Sequence, residues 1–454
     1  MSKKYIAALV GVAMFIILLC GCGAESVRLN PKTPLTLTLW HNYGGQMQST
    51  MDELIDEFNM TIGREKGIIV SVTAVSAMKE QEERLAMIAA GDPGAEAMPD
   101  IVTAYPKTAM LLSEQGMLAA LDNTFSEEEL AAYMPQFIEE GRLPDGKLYV
   151  FPIAKSSEML FVNQTLFDRF SAATGVSMDS LSTFEGIAEA ALKYYEWTDS
   201  ITSETPDDGK TFYTADSWFN IVQVGMAQLG GAFVSPDELL VDAPQYERIW
   251  EFCMQPALLG GYAVIDGYSS DLSKTGDIIC STGSTAGILF YGDSITYPDN
   301  SSEEAVYSIL PYPVFDGGEK TAIQRGAGMV VASSTPEKEY AATLFLKWFT
   351  HPAQNIRFIS STGYLPVTNE AYNEIVEHHA QPAENANIQK MLQTAIRMHG
   401  EYTFLTAPNY DGFDAMSKQY EADLKEAMRS GRQRVLTGEA AQDVCADLRE
   451  NFMH

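Results

Sequence analysis

The sequence contains few of the residues that mark metal sites or disulfide scaffolds. Its 454 residues include five cysteines without a CxxC pair, and six histidines without an HExxH motif or zinc-type Cys/His spacing. Beyond Cys20 and Cys22 only Cys253, Cys280 and Cys445 remain, which excludes a disulfide-rich scaffold. We expect no metal, no cofactor and at most one disulfide, for which Cys253 and Cys280 are the candidate pair.

Basic residues are also scarce. There are 30 Lys and Arg against 61 Asp and Glu, which gives a formal net charge of −31. Such a surface repels nucleic acid, so we expect no nucleic-acid partner. Hydrophobic residues make up 46% of the chain, as in packed soluble proteins, and the length predicts two or more domains.

The first hydrophobic run is too short to span a membrane. Lys3 and Lys4 precede an apolar run of about 16 residues, against the roughly 20 that a spanning helix needs, and this suits a signal peptide. The ending LCGC resembles the bacterial lipobox, in which a peptidase cuts before a cysteine that then carries lipid. The resemblance implies a signal peptide over residues 1–21, lipidation of Cys22, a tether over 22–34 and an extracytoplasmic anchor in the cell membrane. An ordinary secretory peptide is the alternative.

Strand and helix patterns alternate after this tether. LTLTLW (35–40), GIIVSVTAV (67–75) and PDIVTA (99–104) have strand character, and apolar residues recur at helical spacing over 47–58. A second helix is expected to stop at Gly91. Further along, AGILFY, YSILPYPV and GMVVAS predict strands. The rhythm predicts an α/β fold with a parallel sheet, whose ligands lie at the carboxyl ends of strands.

Seven stretches follow one another along the chain: LTLWHNYGGQMQSTMDELIDEFN, PDIVTAYPKTAMLLSEQGMLAALD, DGKLYVFPIAKSSEMLFVNQTLF, GSTAGILFYGDS, YPVFDGGEKTAIQRGAGMVVAS, KEYAATLFLKWFTHPAQN and STGYLPVTNEAY. In this order they resemble the extracellular solute-binding proteins of ABC importers, the family that includes maltose- and glycerol-3-phosphate-binding proteins. The resemblance implies a two-lobed, periplasmic-binding-protein-like α/β fold with a ligand cleft between lobes joined by crossing segments. It implies an N-terminal lobe over 35–152 plus 325–363 and a C-terminal lobe over 153–324 plus 364–454. We expect a monomer that passes its solute to a membrane permease.

The same resemblance implies a set of solute-binding residues. They are Trp40, His41, Asn42, Tyr43, Tyr105, Ser156, Trp218, Tyr291, Asp293, Arg325, Gly326 and Tyr364. Several alternatives stay open at this point. Trp40 can equally belong to the core, Tyr105 can cover the core although the cleft is favoured, and the segment of Tyr291 lacks the tryptophan that the family carries there. Arg325 can grip a phosphate or carboxylate, or form a surface ion pair beside a glycine hinge.

Three functions are compatible with these residues. The first is a receptor for a mono- or oligosaccharide or a polyol, bound by aromatic and neutral hydrogen-bonding side chains. The second is a receptor for glycerol-3-phosphate or a glycerophosphodiester, suggested by Arg325, Lys155 and Tyr364. The third is a secreted hydrolase, against which GSTAG places threonine where GxSxG requires serine. We therefore expect a carbohydrate receptor that is not an enzyme.

Overall fold

A computed structural model describes residues 27–452, except 76, 203, 236–237, 379–384 and 409–411. The predicted signal peptide and Cys22 lie outside the described residues. Within them, no helix has both the length and the apolar character needed to cross a bilayer.

The chain alternates strands and helices throughout. The strands are β1 Leu35–His41, β2 Ile68–Ala74, β3 Ile101–Ala104, β4 Ser156–Asn163, β5 Tyr213–Ala215, β6 Cys280–Ser284, β7 Ser294–Thr296, β8 Ser302–Glu304, β9 Tyr307–Leu310, β10 Thr321–Arg325, β11 Gly328–Val331 and β12 Thr403–Thr406. The helices are α1 Gly45–Phe58, α2 Arg64–Lys66, α3 Met78–Ala90, α4 Pro106–Glu114, α5 Glu127–Leu130, α6 Pro135–Glu140, α7 Gln164–Thr174, α8 Phe184–Ile201, α9 Trp218–Gln228, α10 Pro244–Leu258, α11 Ser269–Thr275, α12 Pro336–Phe349, α13 Pro352–Thr362, α14 Asn369–His378, α15 Ala386–Glu401, α16 Phe413–Leu436 and α17 Ala441–Asn451.

The first sheet has the strand order β11-β3-β1-β2 and forms the first lobe. Strand β1 pairs in parallel with β2 and β3, as the alternation predicts, and β11 is antiparallel to β3. Helix α3 ends at Gly91, which adopts the left-handed conformation (φ 67°) of a helix terminus. Leu37 and Leu39 of β1 are fully buried in the cores on this sheet, together with Phe58 and Phe345.

The second sheet has the order β12-β10-β4-β6-β5, with β9 also paired to β4, and forms the second lobe. Every residue of β4 is buried, because this central strand is covered on both faces. The core beside it contains Trp218 and Trp250, and the Trp250 indole donates a hydrogen bond to the Cys445 carbonyl. The predicted two-lobed α/β fold is confirmed.

The chain passes between the two sheets at three places. Phe151 bridges Met329 of the first sheet, and five residues later Ser156 begins β4 of the second. Only Gly326 and Ala327 separate β10 in the second sheet from β11 in the first. The third passage follows Gly363, where Leu365 bridges Lys155. These passages place three chain segments side by side at the junction of the lobes.

One expected strand and the candidate disulfide do not form. AGILFY is not a strand, because residues Thr285–Phe290 form a 3₁₀-helix that buries Thr285 and Ile288, three positions apart, and leaves Phe290 58% exposed. The Cys253–Cys280 disulfide does not form. Both cysteines are buried free thiols, and burial raises the pKa of each. Their packing role is that of small hydrophobic residues.

Candidate functional site

A cavity of about 1010 Å³ lies between the two lobes. The first lobe contributes residues of α3, α4 and α6, and the second contributes residues of α9, β10 and α16. Six acidic and five basic side chains are part of its lining: Glu82, Glu139, Glu140, Asp266, Asp414, Glu421, Lys107, Arg142, Arg325, Lys418 and Lys425. Several of them pair with each other or with neighbours outside the lining. Lys107 of the first lobe, for example, lies 2.7 Å from Asp414 of the second.

The Arg325 guanidinium lies in the cavity above a buried carboxylate. Arg325 Nη1 is 3.2 Å from Glu158 Oε1, and the arginine side chain remains 44% exposed whereas that of Glu158 is buried. Asn220 Nδ2 donates to the same Glu158 oxygen at 2.5 Å, and Gln223 Nε2 donates to Asn220 Oδ1 at 2.8 Å. The arrangement presents one neutralised cation beside two side-chain amides.

A wall of three tyrosines adjoins the cavity, and of these only Tyr105 is part of the lining. Tyr105 lines the cavity and is 38% exposed, and burial raises its pKa while the Arg325 charge acts against this shift. Tyr364 packs edge-on against Tyr43, with their ring centroids 6.0 Å apart, and Tyr105 and Arg325 both lie close enough to Tyr364 to affect its pKa, which burial raises. The structure therefore brings together Tyr43, Tyr105, Tyr364 and Arg325 from the predicted set.

The three residues before Tyr43 are engaged inside the first lobe. Trp40 is buried and faces the Arg84 guanidinium 5.9 Å from its ring centroid. His41 is fully buried, accepts a hydrogen bond from the Tyr43 backbone N–H at Nδ1, and has its pKa lowered by burial. Asn42 accepts a hydrogen bond from the Thr103 hydroxyl at 3.2 Å. These contacts fix the turn that carries Tyr43, so any direct role of the three in binding stays a prediction.

Four other predicted residues lie away from the cavity lining. Trp218 is fully buried against Tyr213 and Tyr262. Tyr291 is buried, and its hydroxyl is 2.9 Å from Ser269 Oγ and 2.8 Å from Ser281 Oγ. Asp293 is exposed, and its carbonyl accepts a hydrogen bond from Ala305. Ser156 is buried at the start of β4, in register with Arg325.

A buried ion pair lies beneath the cavity at the lobe junction. Lys155 Nζ is 2.8 Å from Glu140 Oε2 and donates to the Gly326 carbonyl at 2.8 Å. Gln324 also donates to the Glu140 carboxylate. Gly326 lines the cavity and has φ 112°, a conformation that side-chain-bearing residues rarely adopt.

Sequence reasoning missed the polar residues of α9 and α16. Asn220 and Gln223 lie three positions apart on one face of a largely apolar helix, from which only Trp218 was predicted to bind the solute. Glu421 accepts from Ser217 Oγ at 3.0 Å and pairs with Lys425 at 3.0 Å. The signal in the sequence that could have indicated this site was the three-residue spacing of Asn220 and Gln223 within WFNIVQVGMAQ. Across the described ranges, no cluster of His, Cys, Asp or Glu is arranged to hold a metal ion.

The sequence of this chain is similar to those of known proteins. A family model for bacterial extracellular solute-binding proteins matches residues 53–390. The sn-glycerol-3-phosphate-binding periplasmic protein UgpB of Rhizobium meliloti is 24% identical over 354 residues, which cover 74% of this chain and 76% of that protein.

Solved structures share the fold at low sequence identity. The cyclic alpha-maltosyl-1,6-maltose binding protein of Arthrobacter globiformis superposes with a TM-score of 0.69 at 16% identity. UgpB of Mycobacterium tuberculosis, solved with glycerophosphocholine, superposes with a TM-score of 0.68 at 17% identity. Each covers 92% of this chain and 97% of its own. With more than half of its length matched by the family model, the chain belongs to the bacterial extracellular solute-binding proteins.

Proposed function

We propose that this solute-binding receptor of an ABC importer captures a neutral carbohydrate or polyol in the cavity between its lobes. The observation that most directly supports this proposal is the ion pair between Glu158 and Arg325, which neutralises the arginine charge beside the side-chain amides of Asn220 and Gln223. Amides offer both donors and acceptors to hydroxyl groups, and the exposed face of Tyr105 offers a surface for a sugar ring. The maltosyl-maltose-binding neighbour, which shares the fold, is compatible with this assignment.

The same proposal includes the bounds of the lobes, the lipid anchor and the absence of catalysis. The lobes comprise 35–152 plus 325–363 and 153–324 plus 364–454, and they close on the solute by movement about the three passages. Cys22 carries a lipid that holds the receptor, as a monomer, near its permease. The chain performs no catalysis, so its output is the closed, loaded receptor.

A thermal-shift screen tests the solute class. The purified chain is heated with mono- and oligosaccharides, polyols and glycerophosphodiesters, each at several concentrations. A bound solute at a hundred times its Kd adds about 2.7 kcal/mol to the free energy of unfolding, enough for a clear rise in Tm. We expect the rise with neutral carbohydrates or polyols. A rise restricted to the phosphorylated compounds contradicts the neutral assignment.

A second candidate is a receptor for glycerol-3-phosphate or a glycerophosphodiester. It is favoured by the exposed part of Arg325, whose remaining nitrogens can reach an anion in the cavity, and by the similarity to UgpB proteins. The screen separates the two candidates because it includes both classes of compound.

Substitution of Tyr364 by alanine is expected to weaken binding of the solute found in the screen more than tenfold. Tyr364 supports the wall formed with Tyr43 and Tyr105, so its loss removes ring contacts and loosens its neighbours. Isothermal titration calorimetry measures the change. Tyr340→Ala, at a half-buried position of α12, is the matched control and should leave the affinity unchanged. Equal affinities in Tyr364→Ala and the wild type contradict the placement of this wall.

A further inference from the structure

We propose that Glu158 sets the charge selectivity of the cavity: its buried carboxylate occupies the Arg325 guanidinium and thereby makes the receptor discriminate against anionic solutes. This inference rests on the proposed function, and it assigns a specificity role to a residue that does not itself line the cavity. Glu158 acts through Arg325, so it is a positioning residue rather than a solute ligand.

The geometry shows how the carboxylate is held. Glu158 lies on the central strand β4, where it is 1% exposed and pairs in register with Ser284 of β6. Its Oε1 receives both Arg325 Nη1 at 3.2 Å and Asn220 Nδ2 at 2.5 Å. The carboxylate therefore pulls one guanidinium nitrogen towards the floor of the cavity and competes with any anion above it.

A second carboxylate strengthens the negative field at this position. Asp216 follows β5, and its Oδ1 accepts a hydrogen bond from the Ser269 backbone N–H at 3.0 Å. Burial raises the pKa of both Glu158 and Asp216, and in both cases the Arg325 charge acts against the shift. Arg325 therefore acts electrostatically on both carboxylates and pairs directly with Glu158.

The cavity lining as a whole carries no net positive charge. Six carboxylates and five cations line the cavity, and the whole chain carries a formal charge of −31. A phosphate that takes over the Arg325 Nη1 contact displaces Glu158 and leaves this buried carboxylate with the Asn220 amide as its remaining partner in this contact, which is costly. A hydroxyl group meets no such cost, because it can accept from Arg325 or Asn220 without displacing the ion pair.

The opposite role for Glu158 predicts a different outcome. A carboxylate behind an arginine can also hold the guanidinium in the orientation needed to grip a phosphate in two places. In that case removal of Glu158 should weaken anion binding, whereas under our proposal it should strengthen it. The sign of the change distinguishes the two roles.

The experiment titrates sn-glycerol 3-phosphate into the full chain and its variants by calorimetry. Glu158→Gln keeps the shape and the acceptor for Asn220 but removes the charge, and it should tighten binding at least tenfold relative to the wild type. Glu158→Thr also removes the carboxylate and introduces a residue that is suited to a strand. The gain in affinity is measured in whichever of the two variants unfolds, by circular dichroism, at the temperature of the wild type. Adding Arg325→Gln to either variant should abolish the gain.

An unchanged or weaker affinity in the folded Glu158 variants overturns the proposal, as does a gain that survives Arg325→Gln. The single variant Arg325→Gln, at a half-exposed side chain, provides an independent test of the proposal. It should change the wild-type affinity for sn-glycerol 3-phosphate less than threefold, and a tenfold loss overturns the proposal. A neutral-carbohydrate hit for the wild type in the thermal-shift screen upholds the proposed function even where the Glu158 variants fail to gain anion affinity.

Discussion

Replacing Lys155 by methionine is expected to lower the free energy of unfolding by about 3–5 kcal/mol, the usual effect of removing one partner from a buried ion pair. Lys155 is 3% exposed and its Nζ lies 2.8 Å from Glu140 Oε2. Methionine has a similar length but no charge, so it leaves the Glu140 carboxylate buried with the Gln324 amide as its remaining partner in this contact. The Gly326 carbonyl also loses its donor.

Two companion variants identify the cause of that loss. Lys66→Met removes a lysine from an ion pair of the same 2.8 Å length whose side chains are 47% and 64% exposed, and it should leave the free energy of unfolding almost unchanged. Lys155→Met combined with Glu140→Gln removes the orphaned charge and should restore part of the lost stability. Urea unfolding followed by circular dichroism gives all four values. Similar losses for Lys155→Met and Lys66→Met would contradict a buried, energetically coupled pair at the lobe junction.

The sequence allowed the alternating elements of the first lobe to be predicted because each depends on local spacing. The apolar–Thr alternation of LTLTLW appears as β1, and the helix before Gly91 ends where glycine permits a left-handed residue. AGILFY failed because a short apolar run has the composition of a strand, and its actual 3₁₀ conformation depends on packing against residues near Gly363.

Only part of the candidate site could be predicted from the sequence. Tyr105 could be predicted as a neighbour of the cavity because it follows a strand end, whereas Arg325 and Gly326 were implied by the family resemblance. Glu158 and Asn220 could not, because they are 62 positions apart in the chain and meet only when α9 packs beside β4. Trp218 was predicted to bind the solute. Tryptophan is also the largest side chain that can fill a core, however, and Trp218 is fully buried in the structure.

Substitution of Gly326 by valine is expected to cost about 3 kcal/mol or more, the upper end of the range for a residue held in an unfavourable backbone conformation. Gly326 has φ 112°, and a Cβ there would lie 3.1 Å from the Ala154 carbonyl oxygen and 3.2 Å from Lys155 Cα. Both neighbours are backbone atoms of the adjacent passage, so a rotamer change cannot relieve the contact. We expect a lower Tm and weaker solute binding together, because the valine would separate two of the passages about which we propose that the lobes close.

Gly438→Val separates the two contributions. Gly438 has φ 107°, close to that of Gly326, but no heavy atom lies within 4 Å of an added Cβ. The Gly438 variant therefore measures backbone strain alone, and it should lose stability without loss of affinity for the solute found in the screen. The additional loss in Gly326→Val then reports the contact between the passages. If both variants lose the same stability and neither loses affinity, the close approach of the passages at Gly326 has no role in binding, and closure must depend on other contacts between the lobes, such as Lys107 with Asp414.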